Sequence, residues 1–220
     1  HPILEQYRAA DDSCIVTDDY LKGLEEKFGE AAALAKEAGF DAVDIKSCHG
    51  YLLAELASAY NRPGAYGGSF ENRLRFGVEV LNAVRAEVGP DFCVGIRLCG
   101  DEFHPDGLSH EDMKQIAKYY DDTGMLDFIG VVGSGCDTHN TLANVIPNMS
   151  YPPEPFLHLA AGIKEVVKAP VLHAQNIKDP NQATRILEGG YVDMVGMTRA
   201  HIADPHLIAK IKMGQVDQIK

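Results

Sequence analysis

Three polar side chains that could take part in chemistry stand close together in the sequence. They are Lys46, His49 and Tyr51, at the end of a short apolar segment. A tyrosine hydroxyl is neutral at ordinary pH, so in a dry pocket it can donate a proton to a carbanion. Lys46 could bind a carboxylate or carbonyl oxygen, or it could pair with Asp44, two residues earlier on the same face of a strand. The sequence leaves both interpretations of Lys46 open.

Other residues of reactive types give weaker signals. Three histidines follow predicted strands but lack the spacing of a metal site: His104, His139 and His173. Ser134 and Cys136 have no evident base beside them, so nucleophilic catalysis is disfavoured. The cysteines are odd in number and scattered, which argues against a disulfide framework or a structural metal site: Cys14, Cys48, Cys93, Cys99 and Cys136. We therefore predict no metal site within these residues, and a 4Fe-4S cluster only in a longer parent chain.

The strands that must position these side chains are short, apolar and rich in β-branched residues, which is typical of buried parallel strands. We predict them at Phe40–Lys46, Phe92–Leu98, Asp127–Val132, Pro170–Ala174 and Asp193–Met197. Helical patterns alternate with the strands, and a helix over roughly 18–38 precedes the first. This alternation predicts a parallel sheet with right-handed crossovers.

The helix ends carry recognisable signals. Glycines that tolerate positive φ are expected just past them, at Gly39, Gly89, Gly124, Gly189 and Gly214. Ser109 and Asp112 have the spacing of a capping box. Asp179-Pro180 and Asp204-Pro205 each place a cap before a first-turn proline.

Two architectures fit this order of elements: an open doubly wound sheet and part of a closed (β/α) barrel. No Gly-x-Gly-x-x-Gly motif follows any strand, so the dinucleotide-binding signature of the doubly wound class is missing. Because the chain opens with a helix, we expect the first strands of a longer protein to be absent. The longest non-periodic stretches, 99–108 and 133–153, then become loops at the face where barrel enzymes do chemistry.

Several motifs resemble one known family. They are Ala42-Val-Asp-Ile-Lys-Ser-Cys-His-Gly-Tyr-Leu-Leu53, Tyr66-Gly-Gly-Ser-Phe-Glu-Asn-Arg73, Val94-Gly-Ile-Arg-Leu98 and Asp193-Met-Val-Gly-Met-Thr-Arg-Ala200. Together they are similar to the old yellow enzyme / NADH:flavin oxidoreductase family, in the branch with dienoyl-CoA reductase and trimethylamine dehydrogenase. The resemblance implies that residues 1–220 are a partial FMN-binding TIM-barrel domain. It would supply about five βα units of the (β/α)8 barrel, strands four to eight, and a preceding helix.

The resemblance also assigns roles to residues near the substrate. His49 and Tyr51 match positions that hold an activated oxygen of the substrate and deliver a proton. Lys46 departs from the family, which has His there or, in amine-oxidising members, Tyr. Arg97 matches the group that stabilises negative charge on the reduced flavin, although it could also pair with Asp44.

The FMN phosphate is expected at the loops after the last two strands, as in many barrels. Arg199 could bind it as a charged fork, with main-chain N–H groups of Gln175, Asn176 and Thr198 nearby. The competing interpretation makes Arg199 a solvated residue at the start of a loop. The family has two glycines where this chain has Gln175 and Asn176, and Asn176 is expected to serve through its backbone.

The function implied by the resemblance is transfer of hydride from NAD(P)H through FMN to an activated alkene or a related small molecule. Two alternatives stay open: N-demethylation of a small amine or betaine by the same flavin, and a non-catalytic barrel fragment. Five of eight strands would leave two unpaired edges, which could pair with the missing barrel segment or form a homo-oligomer.

Composition narrows the class of partner. The net charge of −12 and the pI of about 5.1 give no electrostatic footprint for nucleic acid or an anionic membrane. No apolar run approaches the ~20 residues that span a bilayer, and no signal peptide opens the sequence. We expect a cytoplasmic protein that acts on a small-molecule substrate.

Overall fold

The strands form one parallel sheet in the order in which they occur along the chain. A computed structural model describes residues 15–135 and 139–220. Its strands are β1 Ala42–Ser47, β2 Cys93–Cys99, β3 Phe128–Val132, β4 Val171–His173 and β5 Met194–Val195. Each strand pairs in parallel with the next, in the spatial order β1-β2-β3-β4-β5. This confirms the α/β class and the predicted strand order, although β4 and β5 are shorter than predicted.

Helices separate the strands, as the alternating pattern predicts. Their bounds are α1 Asp18–Glu37, α2 Leu52–Ala57, α3 Phe70–Val88, α4 His110–Asp121, α5 His139–Val145, α6 Leu157–Lys164, α7 Pro180–Glu188, α8 Thr198–Ala203 and α9 Leu207–Lys212. The helix predicted over 18–38 is therefore confirmed as α1. Within the described ranges, no helix combines the length and the apolar character needed to cross a membrane.

Most of the predicted helix ends are confirmed. Ser109 and Asp112 form the capping box of α4, and the Asp179 side chain accepts the N–H of Gln182 at the start of α7. Gly189 directly follows the last residue of α7 as predicted, but the prediction of positive φ there is wrong by one residue. Gly189 has φ −71°, and the left-handed conformation falls on Gly190 with φ +69°.

The cap predicted at Asp204 is also wrong. The helix that follows begins at Leu207, and His206 occupies its N-cap position. The Asp204 carboxylate instead accepts the N–H of His206 at 3.1 Å and the ammonium of Lys210 at 2.6 Å. These bonds compensate the charge of the Asp204 carboxylate, which is buried. The pKa of Asp204 is held below its ordinary value, chiefly by the hydrogen bond from Lys210.

Two aspartates fix the starting ends of the strands. Asp127 precedes β3, and its carboxylate accepts the N–H of Val94 in β2 at 2.8 Å. Asp193 precedes β5 and accepts the N–H of Val171 in β4 at 2.9 Å. These bonds satisfy main-chain donors at the amino ends of the strands, where the ladder of hydrogen bonds begins. The similar segments Gly124-Met-Leu-Asp and Gly190-Tyr-Val-Asp thus share a structural role.

The two faces of the sheet differ in polarity. On one face the side chains of Val94, Ile96 and Leu98 are fully buried in the core between the sheet and the helices. Alternation along β2 puts Gly95 and Arg97 on the opposite face. The register pairs Asp44 with Gly95 and Lys46 with Arg97, so the charged side chains of β1 and β2 share that second face.

Candidate functional site

Lys46 and Tyr51 are in direct contact at the carboxyl end of β1. The Lys46 Nζ atom lies 3.3 Å from the centroid of the Tyr51 ring, within the range of a cation–π interaction. Tyr51 takes the N-cap position of α2 with φ −87°, so the turn from strand to helix folds its ring back toward the strand. The sequence placed both residues at the site, but the contact between them was not predicted.

Asp44 is the partner of Arg97. Its Oδ2 atom lies 2.8 Å from Nε and 2.7 Å from Nη2 of Arg97, and both side chains are about one-third exposed. This ion pair agrees with one of the two interpretations of Arg97 and does not remove the other, because the guanidinium has further donors. The predicted alternative partner of Asp44, Lys46, lies against Tyr51 instead.

His49 is held in an unusual backbone conformation beside these charges. Its φ of +63° is in the left-handed region, and its main-chain N–H donates to Sγ of Cys99 at 3.3 Å. Burial, followed by the positive charges of Lys46 and Arg97, lowers the pKa of the imidazole to about 4. The ring is therefore neutral near pH 7, and its role as an anchor for a substrate stays a prediction.

The ring of Tyr51 is more accessible than the dry pocket expected from the sequence. Its relative exposure is 56% among the described residues. In this chain the residue can therefore be reached from solvent, and the role of its hydroxyl as a proton donor stays a prediction.

Three of the residues predicted at the phosphate contact the segment 144–152. Gln175 Nε2 donates to the carbonyl oxygens of Asn144 and Val145, at 2.9 and 3.0 Å. Asn176 Nδ2 donates to the carbonyl of Pro152 at 3.0 Å, and Arg199 Nη1 donates to that of Pro147 at 3.2 Å. We call residues 144–152 the anchored segment, since side chains that follow β4 and β5 in the chain hold its main chain.

Asn176 adopts the backbone conformation that a glycine would favour. Its φ is +56°, in the left-handed region that Asn tolerates better than most residues with a side chain. Although this chain lacks the two glycines of the family, its backbone at Asn176 still adopts the left-handed conformation. Asn176 Oδ1 and Gln175 Oε1 are buried without a hydrogen-bond partner in the described part of the chain.

A surface cleft of about 540 Å³ lies between the anchored segment and the start of α7, near Asn176. Its basic lining comes from Lys178 and Arg185, and Arg185 is paired with Glu154. The cleft does not include Lys46, His49 or Tyr51, so its position does not coincide with the candidate substrate site at β1.

Glu102 is a residue that sequence reasoning missed. It is 1% exposed in the loop after β2, and its carboxylate accepts the N–H of Leu108 at 2.7 Å. Burial raises the pKa of Glu102 to about 7. A charged residue inside the sequence Gly-Asp-Glu-Phe-His gives no sign of burial, so only the fold reveals it.

The weaker candidates have structural surroundings where they are described. His173 is fully buried, and its Nδ1 atom lies 3.0 Å from the carbonyl oxygen of Val131. Ser134 is also fully buried. Cys14, Cys136 and the side chain of His139 lie outside the described residues. Within residues 15–135 and 139–220, no three His, Cys, Asp or Glu side chains lie close enough to hold a metal ion.

The residues at the carboxyl end of the sheet fit FMN in part. Arg97 in β2 offers a cation on the face that β1 and β2 share. Thr198 and Arg199 are exposed at the start of α8, so their side chains could contact a phosphate there. Gln175 and Asn176 already use their amide groups on the anchored segment, so they would contribute main-chain groups. The left-handed backbone at Asn176 supports this, because it is the geometry expected of the glycine it replaces.

Comparisons with known proteins relate the chain to one family. The family described as NADH:flavin oxidoreductase / NADH oxidase matches residues 7–218. The chain is 70% identical over 197 residues to an N,N-dimethylglycine/sarcosine dehydrogenase of Chromohalobacter salexigens, covering 89% of this chain and 28% of that protein. It is 38% identical to a probable N-methylproline demethylase of Rhizobium meliloti, covering 84% and 27% respectively.

A solved structure shows the same fold. The 2-naphthoyl-CoA reductase in complex with 2-naphthoyl-CoA superposes with a TM-score of 0.84 at 28% identity, covering 93% of this chain and 31% of that one. The chain thus spans less than a third of the length of each of these proteins.

Proposed function

This chain belongs to the NADH:flavin oxidoreductase / NADH oxidase family, and on this basis we propose that residues 1–220 are part of an FMN-binding barrel domain in an enzyme that oxidises the N-methyl groups of small amines. The family's redox partners, a flavin and NADH, are those expected from the sequence. The choice of an amine follows the relatives, since the names of a 70% and a 38% identical protein both describe removal of electrons or methyl groups from N-methylated compounds.

The observation that carries the proposal is the meeting of Arg97, Lys46, His49 and Tyr51 at one end of neighbouring strands. The register places Lys46 opposite Arg97, and Lys46 contacts the Tyr51 ring. The charges of Lys46 and Arg97 both act on His49. Active sites of (β/α) barrels are built at this end of the strands. A core position would not need two cations, a neutral histidine and a tyrosine side by side.

Bound FMN would supply the chemistry by accepting the hydride that leaves the N-methyl carbon. Arg97 would bind the negative charge that then develops nearby, and Asp44 would hold the guanidinium in place through their ion pair. Neutral His49 would accept a hydrogen bond from the substrate. Thr198 and Arg199 would bind the phosphate, with main-chain groups of Gln175 and Asn176.

The experiment uses the full-length protein that carries this chain, loaded with FMN. Under anaerobic conditions, an N-methylated amine should bleach the flavin absorbance in the absence of NADH. Loss of hydride leaves an iminium, which water hydrolyses to formaldehyde, so one formaldehyde should appear for each flavin reduced. If no N-methylated amine bleaches the flavin, the proposal is overturned.

Reduction of an activated alkene by NAD(P)H is the second candidate. It is supported by the fold shared with 2-naphthoyl-CoA reductase and by the tyrosine hydroxyl of Tyr51, which can donate a proton. The same preparation discriminates the two. The second function would be favoured if NADH reduced the flavin, an activated alkene reoxidised it, and amines had no effect on its absorbance.

A further inference from the structure

Lys46 carries a positive charge that no carboxylate in the described part of the chain neutralises. Among residues 15–135 and 139–220, no ion pair includes Lys46, although Asp44 lies two residues away on the same strand face. Asp44 is committed to Arg97, since two guanidinium nitrogens lie within 2.8 Å of its Oδ2 atom. The second face of β1 and β2 thus carries two cations and one acidic side chain, in a chain whose overall net charge is −12. An unneutralised cation is unusual on a strand face that is not wholly exposed.

The contact with Tyr51 leaves the ammonium group able to bind a ligand. An ammonium group has three N–H donors, and the Tyr51 ring contacts the ammonium from one side, so donors on the other side can bind a ligand. Lys46 is half-buried, while the Tyr51 ring is 56% exposed, so a small molecule can approach the pair from the open side. The ring holds the ammonium in one place, which lowers the entropy lost when a ligand binds.

The neighbouring groups make an anion the best ligand for this position. His49 is neutral because burial and the charges of Lys46 and Arg97 lower its pKa to about 4. It therefore does not compete with Lys46 for an anion, yet it can hydrogen-bond to a second polar group of the same ligand. The named substrates of the two relatives are N,N-dimethylglycine, sarcosine and N-methylproline, and each of these molecules carries one carboxylate beside its nitrogen.

We propose that the ammonium group of Lys46 binds the carboxylate of an N-methylated amino acid, and that this contact selects such substrates over methylamines that have no carboxylate. The inference rests on the proposed function for the identity of the substrate class. The inference assigns recognition of the substrate carboxylate to Lys46, a position where the sequence differs from the family pattern.

The test compares two unreactive ligands that differ by a carboxylate. Trimethylglycine and tetramethylammonium are both quaternary, so neither can be oxidised through an iminium. Their dissociation constants are measured from the perturbation of the flavin absorbance in the full-length, FMN-loaded protein. Lys46→Met keeps the length of the side chain and removes its charge, Lys46→Arg keeps the charge, and Lys27→Met removes a charge from the distant surface of α1.

For Lys46→Met we expect binding of trimethylglycine to weaken by roughly 10- to 100-fold, the effect of losing a charge-assisted hydrogen bond. Binding of tetramethylammonium should not change. Lys46→Arg should recover most of the affinity, and Lys27→Met should match the wild type. Equal weakening for both ligands, or none for either, would overturn the inference, as would a wild type that does not prefer trimethylglycine.

This binding test is independent of turnover. If trimethylglycine depends on Lys46 but no N-methylated amine bleaches the flavin, the carboxylate site stands and the proposed reaction fails. If amines bleach the flavin while both ligands ignore Lys46, the reaction stands and the carboxylate site fails.

Discussion

The ammonium nitrogen of Lys46 lies 3.3 Å from the centre of the Tyr51 ring. Such a contact is worth about 0.5–2 kcal/mol, depending on how far the cation is desolvated. The ring of Tyr51 therefore has a positioning role that is separate from the chemistry of its hydroxyl group. Substitutions that remove the hydroxyl and those that remove the ring should have different effects.

The hydroxyl of Tyr51 is tested by Tyr51→Phe, which keeps the ring under Lys46. If the hydroxyl donates a proton to a reduced alkene, we expect that half-reaction to slow by roughly 10²–10⁴-fold, the usual contribution of a general acid. Flavin reduction by NADH should hardly change, because hydride transfer to the flavin needs no proton from tyrosine. Stopped-flow absorbance measures both half-reactions.

Tyr51→Leu is the matched control, because it removes the ring as well. It should also weaken carboxylate binding through Lys46, which Tyr51→Phe should leave intact. Equal slowing of both half-reactions in Tyr51→Phe would mean that the hydroxyl shapes the pocket and donates no proton.

Arg199 is predicted to bind the FMN phosphate. Arg199→Ala should weaken FMN binding by ~1.5–3 kcal/mol, the range for a hydrogen bond to a charged group. Fluorescence titration of the apoprotein with FMN measures this. Arg185→Ala is the control, since it removes a guanidinium that pairs with Glu154 at the cleft beside α7. Equal FMN affinity in the wild type and Arg199→Ala would contradict a role in phosphate binding and would make the contact with Pro147 the role of Arg199.

The left-handed backbone at Asn176 predicts an order of stability among substitutions. Asn176→Ala places an ordinary side chain at φ +56° and loses the hydrogen bond to Pro152, so unfolding should become easier by about 1–2 kcal/mol. Asn176→Gly loses the same hydrogen bond but removes the backbone strain, so it should be the more stable of the two variants. Denaturant unfolding gives both values, and an Ala variant as stable as the Gly variant would refute the argument from strain.

Glu102 predicts a pH dependence of stability. Its folded pKa is raised from 4.5 to about 7, chiefly by burial, so the folded state holds a proton that the unfolded state releases between these values. Stability should therefore fall as pH rises from about 4.5 to 7 and then level off, by about 3 kcal/mol if Glu102 acted alone. Glu102→Gln should flatten this part of the curve, as measured by denaturant unfolding at a series of pH values. An unchanged slope in the variant would assign the titration to other groups.

The elements that sequence predicted well are those specified by local patterns. The capping box of Ser109 and Asp112 and the strand order follow from residues close in sequence and from the rules for βα units. Strand order and alternation were also enough to place Arg97 beside β1. The positive φ after α7 was assigned to the wrong glycine, because both Gly189 and Gly190 tolerate it and the pattern cannot choose between them.

The rest depends on contacts between distant residues. Gln175 and Asn144 are 31 residues apart, and no periodicity links a glutamine after a strand to a carbonyl in an earlier helix. The stacking of Lys46 on Tyr51 depends on side-chain torsions at a strand-to-helix turn, which the residue types alone do not determine. Burial of Glu102 likewise requires the neighbouring loops.

Gln175, Asn176 and Arg199 hold the anchored segment through its carbonyl oxygens. Any amino acid supplies such an oxygen, so mutations within 144–152 leave these three anchors in place. Meanwhile Ile146 and Met149 expose 63% and 94% of their surface. The side chains of the anchored segment can therefore be substituted while its backbone conformation is kept. Such substitutions could change what the protein recognises.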